Sequence, residues 1–207
     1  MNQIYTISDL QDIINKAGSA NDDPSQYGGE HKKDGLFLFQ YALEYAEFLN
    51  FCILKGFSFD LTLAIGVAAG GEVKLFRDFV TCKRTIAIDL GNYYREHWVR
   101  IKPTVRTEFV EDIIDDSTST NVKNHLEEEY QSQLDFAFID GCHEHNYVKS
   151  DIETVKSIAH SGTLFTLHDI KMCPGAKAAD DELYSDKNVE KLFETKHRYG
   201  IALWRIL

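Results

Sequence analysis

From residue 61 onward, short apolar runs of strand length alternate with longer segments of helical periodicity, and this alternation limits the fold more than any other feature. The runs are LTLAIG, RTIAIDL, RTEFVEDI, LDFAFIDG and GTLFTLHD, which start at Leu61, Arg84, Arg106, Leu134 and Gly162. Between them, segments such as HNYVKSDIETVKSIAH repeat apolar residues every three or four positions. Strands that are apolar on both faces and joined by helical crossovers predict a mostly parallel sheet in a doubly wound α/β fold.

Two further segments complete the predicted architecture. The segment LFLFQYALEYAEFLNFCILKG has helical spacing and is expected to end at Gly56. The tail VEKLFETKHRYGIALWRIL is interpreted as two strands joined near residues 197–200, which would close one sheet edge as a hairpin. The prediction is therefore an α/β, doubly wound, mostly parallel seven-stranded Rossmann-like sheet with a C-terminal antiparallel hairpin.

One stretch near the N-terminus, residues 18–35, is loop-like because it is rich in Gly, Asp, Asn and Ser. It separates the short segment IYTISDLQDIINKA, in which Ser8 is expected to cap a helix, from the rest of the chain. We predict an N-terminal arm or lid at residues 1–35 and a catalytic domain at residues 36–207.

Composition excludes several classes of function. The 33 acidic residues exceed the 22 basic ones, giving a net charge of −11 at pH 7, which disfavours general nucleic-acid binding. No apolar run reaches the roughly 18 residues that a membrane helix needs, and no secretory signal pattern precedes the domain. The four cysteines lack metal-finger or redox spacing and are interpreted as reduced thiols. We therefore expect a soluble, cytoplasmic protein that does not bind membranes.

In a doubly wound sheet, ligands bind beyond the carboxyl ends of the strands. The first predicted strand runs through GVAAGG, Gly66 to Gly71, directly into a helix, so backbone N–H groups can approach a ligand closely. A tight turn without a ligand is the alternative. The second strand ends at Asp89, whose carboxylate suits ribose hydroxyls, and the two features together favour a nucleoside-containing cofactor. After the third strand, Asp115–Ser117 would either bind an adenine edge or cap the next helix.

The most informative residues follow the fourth and fifth predicted strands. The fourth strand ends in Asp140-Gly141-Cys142-His143, and the fifth ends in His168-Asp169. Converging carboxylates are costly unless they are paired or bound to metal, so the pattern favours a divalent cation such as Mg²⁺ or Mn²⁺. His143 is placed to accept a proton at neutral pH, although single histidines are more often structural.

These segments resemble a known family. Phe138–His143 with Tyr147–Ile152 resembles the "FIDGxHxYxxVxxD" signature of a group of class I S-adenosylmethionine-dependent methyltransferases. The segment Gly162–Ile170 is similar to the group's "GGxxxxHD" segment, and Leu63–Gly71 to its "LEIGxxxGG" cofactor loop. The group includes metal-dependent O-methyltransferases of antibiotic sugars and cephalosporin-hydroxylase-like proteins. The resemblance runs from about Leu36 to the C-terminus.

The resemblance implies that the cofactor is S-adenosylmethionine. The glycine loop, Gly66, Ala68 and Gly70, would surround the cofactor, and Asp89 would bind its ribose. Asp116 and Ser117 would lie at its adenine, and Asp140, which is also the first predicted metal ligand, at its reactive methyl group. One departure concerns the first strand, where relatives carry an acidic residue that helps to anchor the methionine end of the cofactor. Here that position is Ala64.

The resemblance also implies a metal site and a base. Asp140 and Asp169 would bind a divalent metal, and His143 matches the histidine proposed as general base. The residue before the second aspartate is a metal-binding glutamate in the sugar O-methyltransferases and is His168 here. We therefore predict Asp140, His168 and Asp169 as metal ligands and His143 as the catalytic base. An imidazole ligand favours Mn²⁺, iron or zinc over Mg²⁺.

The predicted function is metal-assisted O-methylation of a hydroxylated small molecule, sugars being among the candidate acceptors. Three alternatives remain open. A catalytically inactive methyltransferase-like scaffold would explain Ala64 but not the carboxylate–imidazole cluster. A metal-dependent hydrolase leaves Asp89 and the glycine turn without a role, and a nicotinamide-dependent oxidoreductase does not explain the converging aspartates. The aromatic helix around Phe37 to Phe51 is a candidate homo-oligomer interface, the alternative being that it covers the sheet.

Overall fold

A computed structural model of the chain describes residues 5–18 and 35–207. The strands are β1 (Ser58–Ile65), β2 (Thr81–Asp89), β3 (Phe109–Ile114), β4 (Leu134–Ile139), β5 (Ala159–Leu167), β6 (Val189–Glu194) and β7 (Ala202–Ile206). The helices are α1 (Ile7–Ala17), α2 (Ala42–Lys55), α3 (Gly71–Phe79), α4 (Arg95–Ile101), α5 (Thr120–Tyr130), α6 (His145–Ile158) and α7 (Pro174–Leu183). A 3-10 turn, Lys102–Thr104, follows α4.

The strands form one seven-stranded sheet in the order β3-β2-β1-β4-β5-β7-β6. The pairs β2–β3, β1–β4 and β4–β5 are parallel. The C-terminal hairpin is antiparallel, because β7 pairs with both β5 and β6. This topology confirms the predicted fold class, including the hairpin at the edge. The order reverses next to β1, so the strand ends that carry the predicted site residues lie around the topological switch point.

The described residues form two compact units. One contains the described parts of Met1–Ser58, Ala68–Thr81 and Tyr93–Arg106, and the other contains Phe59–Val67, Cys82–Asn92 and Thr107–Leu207. In the second unit, the buried sheet residues Ile65, Phe165 and Trp204 belong to one apolar cluster with Val155 of α6. These side chains explain why the apolar runs are continuous, since central parallel strands are covered on both faces.

The first unit is built around α1, α2 and α3. Phe48 of α2 stacks on Phe76 of α3 with ring centroids 5.8 Å apart. The Tyr45 hydroxyl donates a hydrogen bond of 2.8 Å to the buried Glu72 carboxylate. Leu10 and Ile14 of α1 are also buried. The apolar side of α2 is thus used within its own unit, and the oligomer interface remains a prediction.

Several local predictions need correction. Thr6, not Ser8, caps α1: its hydroxyl accepts from Asp9 N at 3.1 Å, and the Asp9 carboxylate accepts from Thr6 N at 2.8 Å. This reciprocal capping box satisfies two backbone donors, which explains why it prevails over Ser8. Helix α2 begins at Ala42, because the preceding segment is irregular and Phe37 has a φ of +55°. The helices α4 and α7 were not predicted.

The predicted boundary at residue 35 and the arm or lid stay predictions, because residues 19–34 of that segment lie outside the described chain. Within the described ranges, no helix combines the length and apolar character that crossing a membrane requires.

Candidate active site

The turn after β1 is shaped by Gly66, which has a φ of +82°. A Cβ atom at this position would lie 2.1 Å from the Asp140 carbonyl oxygen and 2.7 Å from Gly141 Cα, so no side chain fits. The Asp140 N–H donates to the Ile65 carbonyl at 2.9 Å. The turn after β1 and the turn after β4 are therefore in direct backbone contact, and the chain needs glycine at residue 66 for that approach.

Asp89, at the end of β2, is held by the backbone of two turns. Its Oδ2 accepts from Val67 N at 2.9 Å, and its Oδ1 accepts from Gly91 N at 2.7 Å. The structure thus fixes Asp89 beside the residue that follows Gly66, and its role as a ribose ligand stays a prediction.

Ala68 and Gly70 belong to the other compact unit. Ala68 has a φ of +47° and Gly70 a φ of +78°, so both lie in the left-handed region. Gly70 is the N-cap of α3, and a Cβ there would lie 2.2 Å from Cε3 of the buried Trp98. The packing of Trp98 is therefore one structural reason for glycine at residue 70.

The segment after β3 forms a side-chain turn. Asp116 Oδ1 accepts from the Thr118 N–H at 2.8 Å and from the Thr118 hydroxyl at 2.7 Å. The N-cap of α5 is Ser119, whose hydroxyl accepts from Val122 N at 3.2 Å. The alternative in which Asp115–Ser117 caps this helix is therefore wrong. Asp116 remains a predicted adenine ligand.

Ser117 leads to a residue that the sequence prediction left without a role, Asp151 of α6. The Ser117 hydroxyl donates to Asp151 Oδ1 at 2.7 Å, and Asp151 Oδ2 lies 3.6 Å from where a Cβ on Gly141 would be. Only 1% of Asp151 is exposed, and burial raises its pKa to about 6 in spite of the Ser117 hydrogen bond. A carboxyl group beside the apolar positions Val148, Ile152 and Val155 was the available sequence signal.

The ends of β4 and β5 bring four predicted residues together. Their last residues, Ile139 and Leu167, are in parallel register. His143 Nε2 lies 3.3 Å from Asp140 Oδ1 and 3.0 Å from Asp169 Oδ2. His168 Nδ1 lies 3.1 Å from Asp140 Oδ1 and 3.6 Å from Asp169 Oδ1. Each imidazole is therefore close to both carboxylates.

In this cluster the carboxylates stabilise the protonated histidines, and the histidines stabilise the ionised carboxylates. Hydrogen bonds with the Asp140 and Asp169 carboxylates raise the pKa of His143 to about 10. Burial acts to lower the pKa of His168, but the Asp140 charge outweighs it and holds that pKa well above its ordinary value. Burial acts to raise the pKa of Asp169, yet the close contact with His143 and the nearby His168 imidazole hold it below its ordinary value. Without a ligand, the cluster is therefore made of paired imidazolium and carboxylate groups.

Helix α7, which the sequence did not predict, packs against the backbone of His143. Asp169 has a φ of +59°, and its carbonyl accepts from Cys173 N at 2.9 Å, so the chain turns directly into the helix. Gly175 lies in the first turn of α7, and a Cβ on it would be 2.3 Å from the His143 carbonyl oxygen. Proline at the first helical position, Pro174, was the signal that predicts a helix here.

Three residues of the cluster have ligand atoms close enough together to bind one cation. One ligand atom from each of Asp140, His168 and Asp169 lies within 4.8 Å of the others. Among the described residues, the buried Asp169 Oδ1 has no hydrogen-bond partner. An unpaired carboxylate oxygen is costly to bury, and a divalent cation would compensate for that cost.

Comparisons with known proteins agree with the fold. An O-methyltransferase from Bacillus cereus in complex with SAH superposes with a TM-score of 0.58 at 16% identity, covering 78% of this chain and 80% of that one. CalS11, a TDP-rhamnose 3'-O-methyltransferase of calicheamicin biosynthesis, gives 0.56 at 15% identity, covering 77% and 76%. An rRNA methylase from Streptococcus thermophilus gives 0.59 at 10% identity, covering 79% and 96%. At these identities the likeness shows the fold alone.

The sequence comparisons decide the family. No curated protein matches the sequence. A family model described as a methyltransferase domain matches residues 56–170, which include every predicted site residue. The metal-dependent sugar O-methyltransferase group stays a prediction. The chain itself belongs to the methyltransferase-domain family, as its motifs predicted.

Proposed function

We propose that this methyltransferase transfers the methyl group of S-adenosylmethionine to a hydroxyl of a small molecule, with the help of a divalent metal. The observation that carries the proposal is the cluster of Asp140, His143, His168 and Asp169 at the ends of β4 and β5. A general methyltransferase fold does not require two carboxylates and two imidazoles at this place. Metal-assisted deprotonation of a hydroxyl gives each of them a use.

The cofactor is assigned to the turn after β1 and to neighbouring strand ends. Asp89 offers its carboxylate to the ribose, and Gly66 leaves room for backbone groups at the turn. Ala68 and Gly70 continue this loop, while Asp116 and Ser117 are assigned to the adenine end. Asp140 is assigned to the reactive end, beside Gly66. Similar folds that are described with bound SAH or SAM support this choice of cofactor.

Asp140, His168 and Asp169 would hold the metal. When bound, a divalent cation supplies Lewis-acid polarisation that lowers the pKa of a substrate hydroxyl. Two carboxylates and one imidazole suit Mn²⁺ or another first-row cation better than Mg²⁺, because imidazole is a softer ligand than oxygen. The buried Asp169 Oδ1, which accepts no hydrogen bond from the described residues and lies 3.6 Å from His168 Nδ1, supports this assignment.

His143 is the proposed general base, and its environment sets a condition on that role. A histidine with a pKa of about 10 is protonated at neutral pH and cannot accept a proton. Its pKa is raised by the same carboxylates that are assigned to the metal. Once Asp140 and Asp169 bind a cation, they no longer stabilise the imidazolium, and the pKa of His143 falls towards the ordinary value of about 6.5. Metal binding and the base are therefore coupled.

The second candidate function is a binding or scaffold module without catalysis, and one observation favours it. Ala64, which is buried in β1 and paired with Phe138 of β4, stands where relatives carry the acidic residue that anchors the methionine end of the cofactor. A scaffold has no evident use for the carboxylate–imidazole cluster, so the enzyme remains the preferred proposal. A metal-dependent hydrolase is less consistent with the methyltransferase-domain match.

Calorimetry with S-adenosylmethionine and S-adenosylhomocysteine, in Mg²⁺ or Mn²⁺ and again in EDTA, tests the proposal. We expect saturable binding of both compounds. Titration of Mn²⁺ should give a heat signal that Asp169→Asn weakens while cofactor affinity is retained. Absence of cofactor binding under every condition would overturn the enzyme proposal and favour the scaffold.

A further inference from the structure

The structure contains a second set of potential metal ligands that shares one residue with the first. We propose that His143, Asp169 and Cys173 form a site for a thiophilic divalent cation such as Zn²⁺, and that filling it removes His143 from proton transfer. The regulatory part of this inference rests on the proposed function, because it assumes that His143 is the base. The binding site itself does not depend on that assumption.

The distances suit a cation of this size. The ligand atoms of His143, Asp169 and Cys173 all lie within 4.8 Å of one another. In a tetrahedral zinc site with bonds of about 2.0–2.3 Å, ligand atoms lie roughly 3.3–3.8 Å apart. His143 Nε2 and Asp169 Oδ2, which are 3.0 Å apart, are already at such a separation, and the sulfur of Cys173 needs to approach by at most about 1.5 Å, which side-chain rotation can supply. The open fourth position would be left to water or substrate.

Backbone contacts already hold the three ligands near one another. Asp169 and Cys173 are joined by a hydrogen bond of 2.9 Å from the Cys173 N–H to the Asp169 carbonyl. The next residues begin α7, where Gly175 allows close contact with the His143 backbone. The cysteine is therefore tied to the aspartate by the backbone and is two residues from the glycine that contacts the histidine backbone.

The chemistry of the two ligand sets differs. Asp140, His168 and Asp169 offer two oxygens and one nitrogen, whereas the second set offers nitrogen, oxygen and sulfur. A thiolate selects Zn²⁺ and comparable cations and does not favour Mg²⁺. On coordination the Cys173 thiol releases its proton to solvent, and the sulfur forms the metal bond without any change of oxidation state.

Occupation of this site would have a direct consequence for His143. The nitrogen of His143 that faces Asp169 is the one that would coordinate the cation. A lone pair bound to a metal cannot accept a proton, so a thiophilic cation would act as an inhibitor of the base. The two ligand sets also compete for Asp169.

Cobalt titration of the full chain tests the site, because Co²⁺ replaces Zn²⁺ and a cobalt–thiolate bond absorbs in the near ultraviolet. We expect wild-type protein to develop this charge-transfer band in the presence of excess Mg²⁺ and to lose it on addition of Zn²⁺. Cys173→Ser should abolish the band, while Cys142→Ser, which removes an exposed thiol one residue from His143, should retain it.

The histidine ligand is tested in the same way. His143→Gln should weaken Co²⁺ affinity by at least about 10-fold, since losing even an outer partner of a metal site commonly costs that much. His145→Gln is the matched control, because His145 pairs with Glu182 and belongs to neither ligand set. Thermal unfolding of each variant verifies that it is folded.

The outcomes separate this inference from the proposed function. No band in wild-type protein, a band that persists in Cys173→Ser, or equal losses in the two histidine variants would overturn the thiophilic site. None of these measurements uses S-adenosylmethionine. Cofactor binding without the band would leave the methyltransferase proposal standing, and the band without cofactor binding would leave only the metal site.

Discussion

At the scale of single residues, the raised pKa of His143 can be measured directly. Its imidazole lies between the Asp140 and Asp169 carboxylates, which raise its pKa to about 10. We expect NMR of 13C-labelled histidine to show His143 protonated through pH 8 in metal-free protein. Saturating Mg²⁺ should lower this pKa by neutralising both carboxylates.

A pKa near 6.5 for His143 in the metal-free protein would contradict this prediction. The histidine of the pair His160–Asp135 is a suitable internal comparison, because it also pairs with a carboxylate but lies at the start of β5 and belongs to neither metal-ligand set. Its titration should not respond to Mg²⁺.

Asp151 gives a prediction about stability. Its folded pKa of about 6 lies above the ordinary value of 3.8, so the folded state binds the proton more tightly. The contribution of this carboxyl to the free energy of unfolding is therefore full below pH 4 and is lost as pH rises to about 6. The loss is at most about 3 kcal/mol at 1.36 kcal/mol per pKa unit.

We expect Asp151→Asn to remove this pH dependence, because the amide stays neutral and still accepts the Ser117 hydrogen bond. Relative to wild type, the variant should gain stability between pH 4 and 7 by up to about 3 kcal/mol in urea unfolding. Glu153→Gln, at an exposed position of the same helix, is the control and should follow the wild-type curve. If the stability of wild type and of Asp151→Asn changed with pH in the same way, the pKa of Asp151 would not be raised.

The sequence predicted which residues lie close together where strand ends decide their position. Asp140 and Asp169 each follow an apolar run, and parallel neighbours place such residues together without further information. Cys173 and Asp151 were missed for a different reason. Both come close to the site through the packing of a helix, and one sequence does not reveal which helix face contacts which loop.

At the scale of elements, α7 is held against the C-terminal hairpin by a buried polar group. Asp180 accepts from the Trp204 indole N–H at 2.8 Å and from the Lys191 ammonium at 2.7 Å, and only 4% of Asp180 is exposed. The Lys191 ammonium also lies 4.9 Å from the centre of the Trp204 ring. This contact fixes the helix whose first turn supports His143.

We expect Asp180→Ala to destabilise the protein by about 1–3 kcal/mol, because it leaves the buried Trp204 indole N–H without its acceptor and leaves Glu194 as the carboxylate partner of Lys191. Asp181→Ala, the next residue along α7, removes only an exposed pair with Lys177 and should cost less than about 1 kcal/mol. Chemical unfolding at neutral pH measures both. Similar losses for the two variants would show that Asp180 does not anchor α7.

The elements that the sequence predicted are those with long apolar periodicity. All seven strands were found, since each is an apolar run bounded by polar residues. The helices α4 and α7 were not predicted: α4 has only 7 residues, and the start of α7 lies in a segment with Pro174 and Gly175 that resembles a loop. Their positions depend on partners such as Gly70 and Trp204, and local sequence does not specify those contacts.

At the scale of the whole molecule, net charge restricts the acceptor. Some proteins of similar fold are described as rRNA methylases, at 10% and 7% identity, which shows the fold alone. This chain carries 33 acidic and 22 basic residues and a net charge of −11, whereas binding to phosphates requires a cationic surface. A neutral or cationic hydroxylated small molecule is a better electrostatic match.

We therefore expect no saturable binding of a labelled RNA hairpin at physiological salt, measured by fluorescence anisotropy, and little gain at lower salt. Non-specific RNA binding by a basic protein strengthens steeply as salt falls, because neutralised phosphates release counterions. The same titration with the S-adenosylhomocysteine-saturated protein examines the state in which an acceptor would bind. Tight binding that weakens with added salt would mean that a local basic surface outweighs the net charge, and the acceptor would then be sought among nucleic acids.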